Sequence, residues 1–138
     1  MATTISQKIR RALEKKLATL SGLPDVAWEN VPMTPSGSGD EFIRARVVVQ
    51  SQRPATVGTD RAIRHDGIFF VDIFQEEGVG AATADEMADN IRALFPVGTI
   101  LTEESQNVHI RYSERAEGIS DPPFYMIPLT IAWYAYET

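Results

Sequence analysis

Residues 67–96 read Gly67-Ile-Phe-Phe-Val-Asp-Ile-Phe-Gln75, then Glu76-Glu-Gly-Val-Gly-Ala-Ala82, then Thr83-Ala-Asp-Glu-Met-Ala-Asp-Asn-Ile-Arg-Ala-Leu-Phe-Pro96. The first part predicts a strand. Ile68, Phe70 and Phe74 point one way, and Phe69, Val71 and Ile73 the other, because side chains alternate across a pleat. Both faces are apolar, so the strand is central or covered on both sides. The last part predicts a helix. Thr83 is the expected N-cap, with Glu86 closing a capping box. Met87, Ile91, Leu94 and Phe95 recur at helical spacing, and Pro96 with Gly98 ends the run.

With this stretch included, the whole 138-residue chain reads as one domain, residues 1–138. A chain of this length buries roughly 70% of its unfolded surface. There are no cysteines, which removes disulfides, thiolate nucleophiles and thiolate zinc sites together. The net charge of −6 argues against a dominant nucleic-acid-binding role, which draws on clustered Lys and Arg. No apolar run approaches the roughly 20 residues of a membrane span. The amphipathic, charged beginning lacks a signal-peptide core. These features read as a soluble, intracellular protein.

Upstream, Ile5, Ile9, Leu13, Leu17 and Leu20 form one stripe of a helix over residues 4–20. Its basic side chains read as a solvated face, or as a surface for a partner. Residues 26–31 form a short strand and residues 32–40 a Pro- and Gly-bearing loop. Residues 42–50 form a strand with Ile43, Ala45, Val47 and Val49 on its apolar face; Arg44 and Arg46 stand opposite. Residues 51–66 read as a long loop carrying Arg53, Arg61 and Arg64. Loops of that length are uncommon in compact domains, and this one is expected to be mobile or extended until assembly.

Downstream, residues 99–102 form a brief strand. Residues 107–113 alternate, with Val108, Ile110 and Tyr112 facing in and His109 and Arg111 facing out. Residues 114–123 read as a turn region. Residues 124–136 form a long strand in which Tyr125, Ile127, Leu129, Ile131 and Trp133 share a face. Pro128 implies an edge position or a bulge there. The fold class is α+β: one mostly antiparallel sheet of four to six strands with two main helices on one face.

Chemistry is sparse. Gly78-Val79-Gly80 invites a dinucleotide-binding reading, but Thr83 stands where the third glycine belongs and Glu76 and Glu77 would repel phosphate. His65 and His109 lack a metal-ligand spacing. The acid pairs Glu76–Glu77 and Glu103–Glu104 read as solvated turns. Asp72 stands between Phe70 and Phe74, a costly place for a carboxylate unless a cation answers it. Arg44 or Arg46 is the expected partner. No nucleophile accompanies Asp72, so a structural or interface role outweighs general-base chemistry.

Two ordered segments, Ala27-Trp28-Glu29-Asn30-Val31-Pro32 with Pro35, and Arg64-His65-Asp66-Gly67-Ile68-Phe69-Phe70-Val71-Asp72-Ile73, resemble small proteins of tailed phages and prophages. The closing Ile131-Ala132-Trp133-Tyr134 matches as well. The set is similar to the tail terminator family of long-tailed, non-contractile phages, of the lambda type. Phe70 departs from the pattern, where Gln is common, which puts the packing of that strand face in question. The resemblance implies a virion tail protein assembled in the host cytoplasm, without catalytic motif or cofactor. It implies a ring, usually hexameric, that caps the tail tube and joins tail to head. Expected partners are further copies of itself, the tail tube protein and a head–tail connector or head-completion protein. DNA is met only in transit through the lumen, and no membrane is involved. Interface candidates are Arg44, Arg46, Arg53, Arg61, Arg64, Phe70, Asp72 and Phe74. Two alternatives stay open: another head–tail completion or tail-tube component, and a ligand-binding or enzymatic domain using Asp72 and nearby arginines.

Overall fold

A computed structural model describes residues 4–20, 25–29, 42–54, 63–76, 78, 82–121 and 124–137. The elements are α1 (Ile5–Ala18), β1 (Asp25–Trp28), β2 (Phe42–Pro54), β3 (Ile63–Glu76), α2 (Ala82–Leu94), β4 (Ile100–Glu103), β5 (Gln106–Arg115), β6 (Ile119–Asp121) and β7 (Phe124–Glu137). The strands form one sheet in the order β1-β2-β3-β7-β5-β4, with β6 also on β7. The β1–β2 pair is parallel and the other pairs are antiparallel. The α+β architecture is as the sequence implied. The strand count reaches seven because residues 119–121, expected to be turn, pair with β7.

Alternation on the two central strands decides where the core lies. Phe69, Val71 and Ile73 of β3 share a face with Ile127, Leu129, Ile131 and Trp133 of β7, and all are buried. Both helices cover this face. From α1 come Ile9, Leu13 and Leu17; from α2 come Ala84, Ala88 and Ile91. Each fully buried Leu or Ile contributes about 1.5–3 kcal/mol relative to exposure. Ala84 and Ala88 have almost no side chain, so α2 lies close to the sheet. Leu94 and Met87 pack at the margin and are only partly buried.

Several local expectations need correction. Helix α2 begins at Ala82, so Thr83 lies inside its first turn and does not cap it. The capping box is instead on α1: the Gln7 amide donates to the Thr4 hydroxyl at 3.3 Å, and the Thr4 amide to Gln7 Oε1 at 2.8 Å. Residues 51–54 and 63–66 are not loop. They extend β2 and β3, pairing from Ser51↔Asp66 to Pro54↔Ile63. Only residues 55–62 of that expected loop, Arg61 among them, lie outside the described residues.

Pro128 is on neither an edge nor a bulge of the β3–β7 ladder, where it faces Asp72. Its carbonyl accepts from the Ala116 amide at 2.9 Å, between the end of β5 and the start of β6. In an antiparallel ladder a residue's N–H and C=O point to the same side. The missing proline donor is therefore aimed at the break between β5 and β6, where a central strand tolerates it.

Two bulges reset the faces. One lies between Val49 and Ser51, the other between Ile110 and Tyr112. A one-residue insertion sends every later side chain to the opposite face. Tyr112, expected inside, is consequently turned out and 39% exposed.

Candidate interaction face

The sheet face away from the helices collects the predicted residues. Register places Phe42 opposite Phe74, Arg44 opposite Asp72, and Arg46 opposite Phe70. The β2 bulge then moves Ser51 and Arg53 onto this same face, opposite Asp66 and Arg64. Seven of the eight candidates, Arg44, Arg46, Arg53, Arg64, Phe70, Asp72 and Phe74, thus share one surface. Arg61 lies outside the described residues.

At one end of this face, Arg44 answers Asp72. Its Nη2 and Nε donate to Asp72 Oδ2 at 2.8 and 3.2 Å. The Asp72 side chain is 5% exposed and that of Arg44 48%. Phe74 stacks on Phe42 at 4.5 Å, Phe124 meets both edge-on, and the Arg44 guanidinium lies 5.1 Å from the Phe74 ring. The carboxylate is therefore walled by aromatic rings and neutralised by a cation whose outer side stays in water.

In the middle, the Arg46 guanidinium lies 4.7 Å over Phe70. The Phe70 ring thus serves as a cation platform. Among the described residues Arg46 has no carboxylate within ion-pair distance.

At the far end the predicted Arg64 meets groups that the sequence reading did not name as candidates, Asp66, Tyr134 and Tyr136. Arg64 Nε donates to both Asp66 oxygens at 3.0 Å, and Arg64 Nη1 to the Tyr136 hydroxyl at 3.2 Å. Burial pushes the Asp66 carboxyl up, but the hydrogen bonds and charge of Arg64, with Arg53 and Arg111 beyond, hold it below its ordinary value. The same bonds raise Arg64 further, partly opposed by burial. Tyr134, on the strand between them, is stacked by His109 from β5 at 4.7 Å and capped by Arg64 from β3 at 4.3 Å. The signal was present as Tyr134-x-Tyr136 on the even positions of β7, opposite the apolar odd positions.

The other sequence candidates lie apart from this surface. His65 is buried on the helix side, between Gln52 Nε2 at 3.0 Å and Glu137 Oε2 at 2.9 Å. The basic face of α1 is largely answered within the chain. Arg10 pairs with Glu29 at 2.7 Å, Lys15 with Glu103 at 2.5 Å and Arg11 with Glu104 at 3.6 Å. Among the described residues no group of three or more His, Asp or Glu side chains has a metal-holding arrangement. What the open face offers chemically is a row of cations on aromatic supports, suited to contact with acidic or aromatic protein surfaces.

Several solved structures share this fold, two of which follow. One carries no descriptive name, is 23% identical, and superposes with a TM-score of 0.78 over 99% of this chain and 98% of that one. The other is a chain in the virion of a native gene transfer agent particle, 16% identical, with a TM-score of 0.65 over 99% of this chain and 100% of that one. No curated protein sequence matches. The family model for phage tail terminator proteins matches residues 8–133, nearly the whole chain, and the protein belongs to that family.

Proposed function

We propose that the protein closes as a ring on the end of a growing tail tube, stops its elongation and forms the tail side of the head–tail junction. Membership of the tail terminator family over residues 8–133 carries this reading. The arginine and aromatic face supports it, because a terminator works by recognising protein surfaces. The ring, six copies in the family's usual form, contacts the tube protein below and a head-completion protein above, and the DNA crosses its lumen. The role is structural and needs neither a catalytic step nor a cofactor.

The test is tube growth. The tail tube protein of the encoding phage is polymerised with and without this protein, and tube ends are imaged by electron microscopy. Tubes that stop lengthening and carry a ring at one end are expected. Continued growth with no terminal density overturns the reading. Incorporation along the tube body would make the protein a tube component instead.

A further inference from the structure

We propose that neighbouring copies join head to tail, with Arg46 and its apolar surround on the open sheet face of one copy seated against the acidic outer side of α2 on the next. The proposal deepens the ring reading and rests on it.

The two patches differ from their surroundings in the same way. Arg44 and Arg64 are already engaged by Asp72 and Asp66. Arg46 is exposed and, like Arg53, has no ion pair among the described residues, though the charge of Arg46 reaches Glu29; Arg46 alone of the two stands on an aromatic ring, Phe70. Beside it the face carries half-buried Val48 and Ile68, and the exposed Glu114 stands in the same cross-strand row on β5, three strands away. A cation set in apolar surroundings gains most from a carboxylate that arrives with apolar surface of its own.

Helix α2 presents that combination. Glu86 and Asp89 are three residues apart, so they share a helix face. Both are exposed and without an ion pair among the described residues. Asp89 borders a groove of about 410 Å³ whose walls include Ala93, Pro96 and Val97. Val97 is 74% exposed. Arg92 also borders the groove, but its Nε is turned to the Ser113 carbonyl at 3.3 Å.

Position supplies the second argument. The Arg46 patch is on the open face of the sheet, and α2 lies on the other. Two different patches on opposite sides make a heterologous contact, which propagates in one direction and closes as a ring when the rotation permits. The symmetric alternative, open face against open face, would leave the exposed carboxylates of α2 unanswered.

The test uses the full chain carrying Arg46→Glu, Asp89→Arg, or both. Both sites are exposed, and circular dichroism checks that each variant keeps the wild-type melting curve. Self-association is followed by sedimentation velocity, and rings on tube ends by electron microscopy. Each single variant is expected to weaken association by at least about tenfold, and the charge-swapped double variant to recover most of that loss. Rings formed equally well by both single variants would overturn the proposed contact and leave the ring reading standing. Rings intact with tube capping lost in Arg46→Glu would assign the face to the tube and also overturn the contact. Absence of any wild-type ring, even on tubes, would remove both.

Discussion

The indole of Trp133 lies directly across Gly67 of the neighbouring strand. A Cβ at Gly67 would overlap the Val48 carbonyl oxygen and Trp133 Cζ2, and stand 2.8 Å from Trp133 Cε2. Glycine inside a strand commonly marks such a close approach. Trp133 is fully buried at the centre of the core, so it has nowhere to move. Gly67→Ala is expected to cost about 1–3 kcal/mol through forced displacement of packed groups. Urea denaturation checks this; a variant as stable as the parent would show that the sheet yields there.

Arg44 and Asp72 form an unequal pair, since the acid is buried and the base half in solvent. Removing the base strands a carboxylate among phenylalanine rings, at a cost of about 1–3 kcal/mol. Removing the acid as Asp72→Asn leaves a guanidinium that water reaches and that still rests on Phe74. Arg44→Ala is therefore expected to destabilise more than Asp72→Asn. The reverse order in denaturation midpoints would contradict this account. Loss of ring assembly in Asp72→Asn, with folding intact, would place the pair at an interface as well.

Much of this was legible because alternation and helical spacing are local. The odd residues of β3 and β7 and the stripe of α1 identified the core directly. That an arginine of β2 would answer Asp72 followed from the cost of isolating a carboxylate; that it is Arg44 and not Arg46 is set by the strand register. What escaped were features set by one strand upon another. The bulges after Val49 and Ile110 have no signature in the residues themselves, yet they decide that Arg53 joins Arg44 and that Tyr112 faces out. Residues 51–54 look polar enough for a loop because their other requirement, pairing with residues 63–66, is non-local. The Arg64–Asp66–Tyr134 group joins strands some 70 positions apart, a contact that sequence spacing does not display.

Acid should weaken the fold through two carboxyls. Asp66 is pushed up by burial, yet Arg64 holds it below its ordinary 3.8. Glu29 is likewise pushed up by burial, but hydrogen bonds from Arg10 and the Val47 amide leave it below its ordinary 4.5. An acid with a lowered folded pKa adds stability above its unfolded pKa and loses it as pH falls through the folded one. Glu14 acts in the opposite sense, raised above 4.5 by burial against the charge of Arg10, and offsets part of the loss. Urea midpoints should be flat at neutral pH and decline below about pH 4.5. Asp66→Asn should start lower and decline less steeply; an unchanged slope would remove Asp66 from the explanation.

Free subunits should associate weakly and in a salt-dependent way, with closure driven by the tube. A permanent ring needs large, mainly apolar interfaces. Among the described residues the exposed large hydrophobic side chains are scattered, at Val97, Ile100, Ile119 and Tyr112 among others. The open face is instead charged, with Arg44 and Arg64 already satisfied inside the subunit. Contacts built on the remaining exposed charges are screened within about 8–10 Å at ordinary ionic strength. Association also costs translational and side-chain freedom, which such contacts barely offset. A tube end changes the balance by holding several subunits side by side at high effective concentration, so weak lateral contacts become intramolecular. Under the proposed function, termination would then be timed by the presence of a finished end. Sedimentation velocity should show mainly monomer at low micromolar concentration, with less association as salt is raised, and rings only on added tubes. A closed ring persisting at nanomolar concentration and indifferent to salt would show that the tube does not trigger assembly.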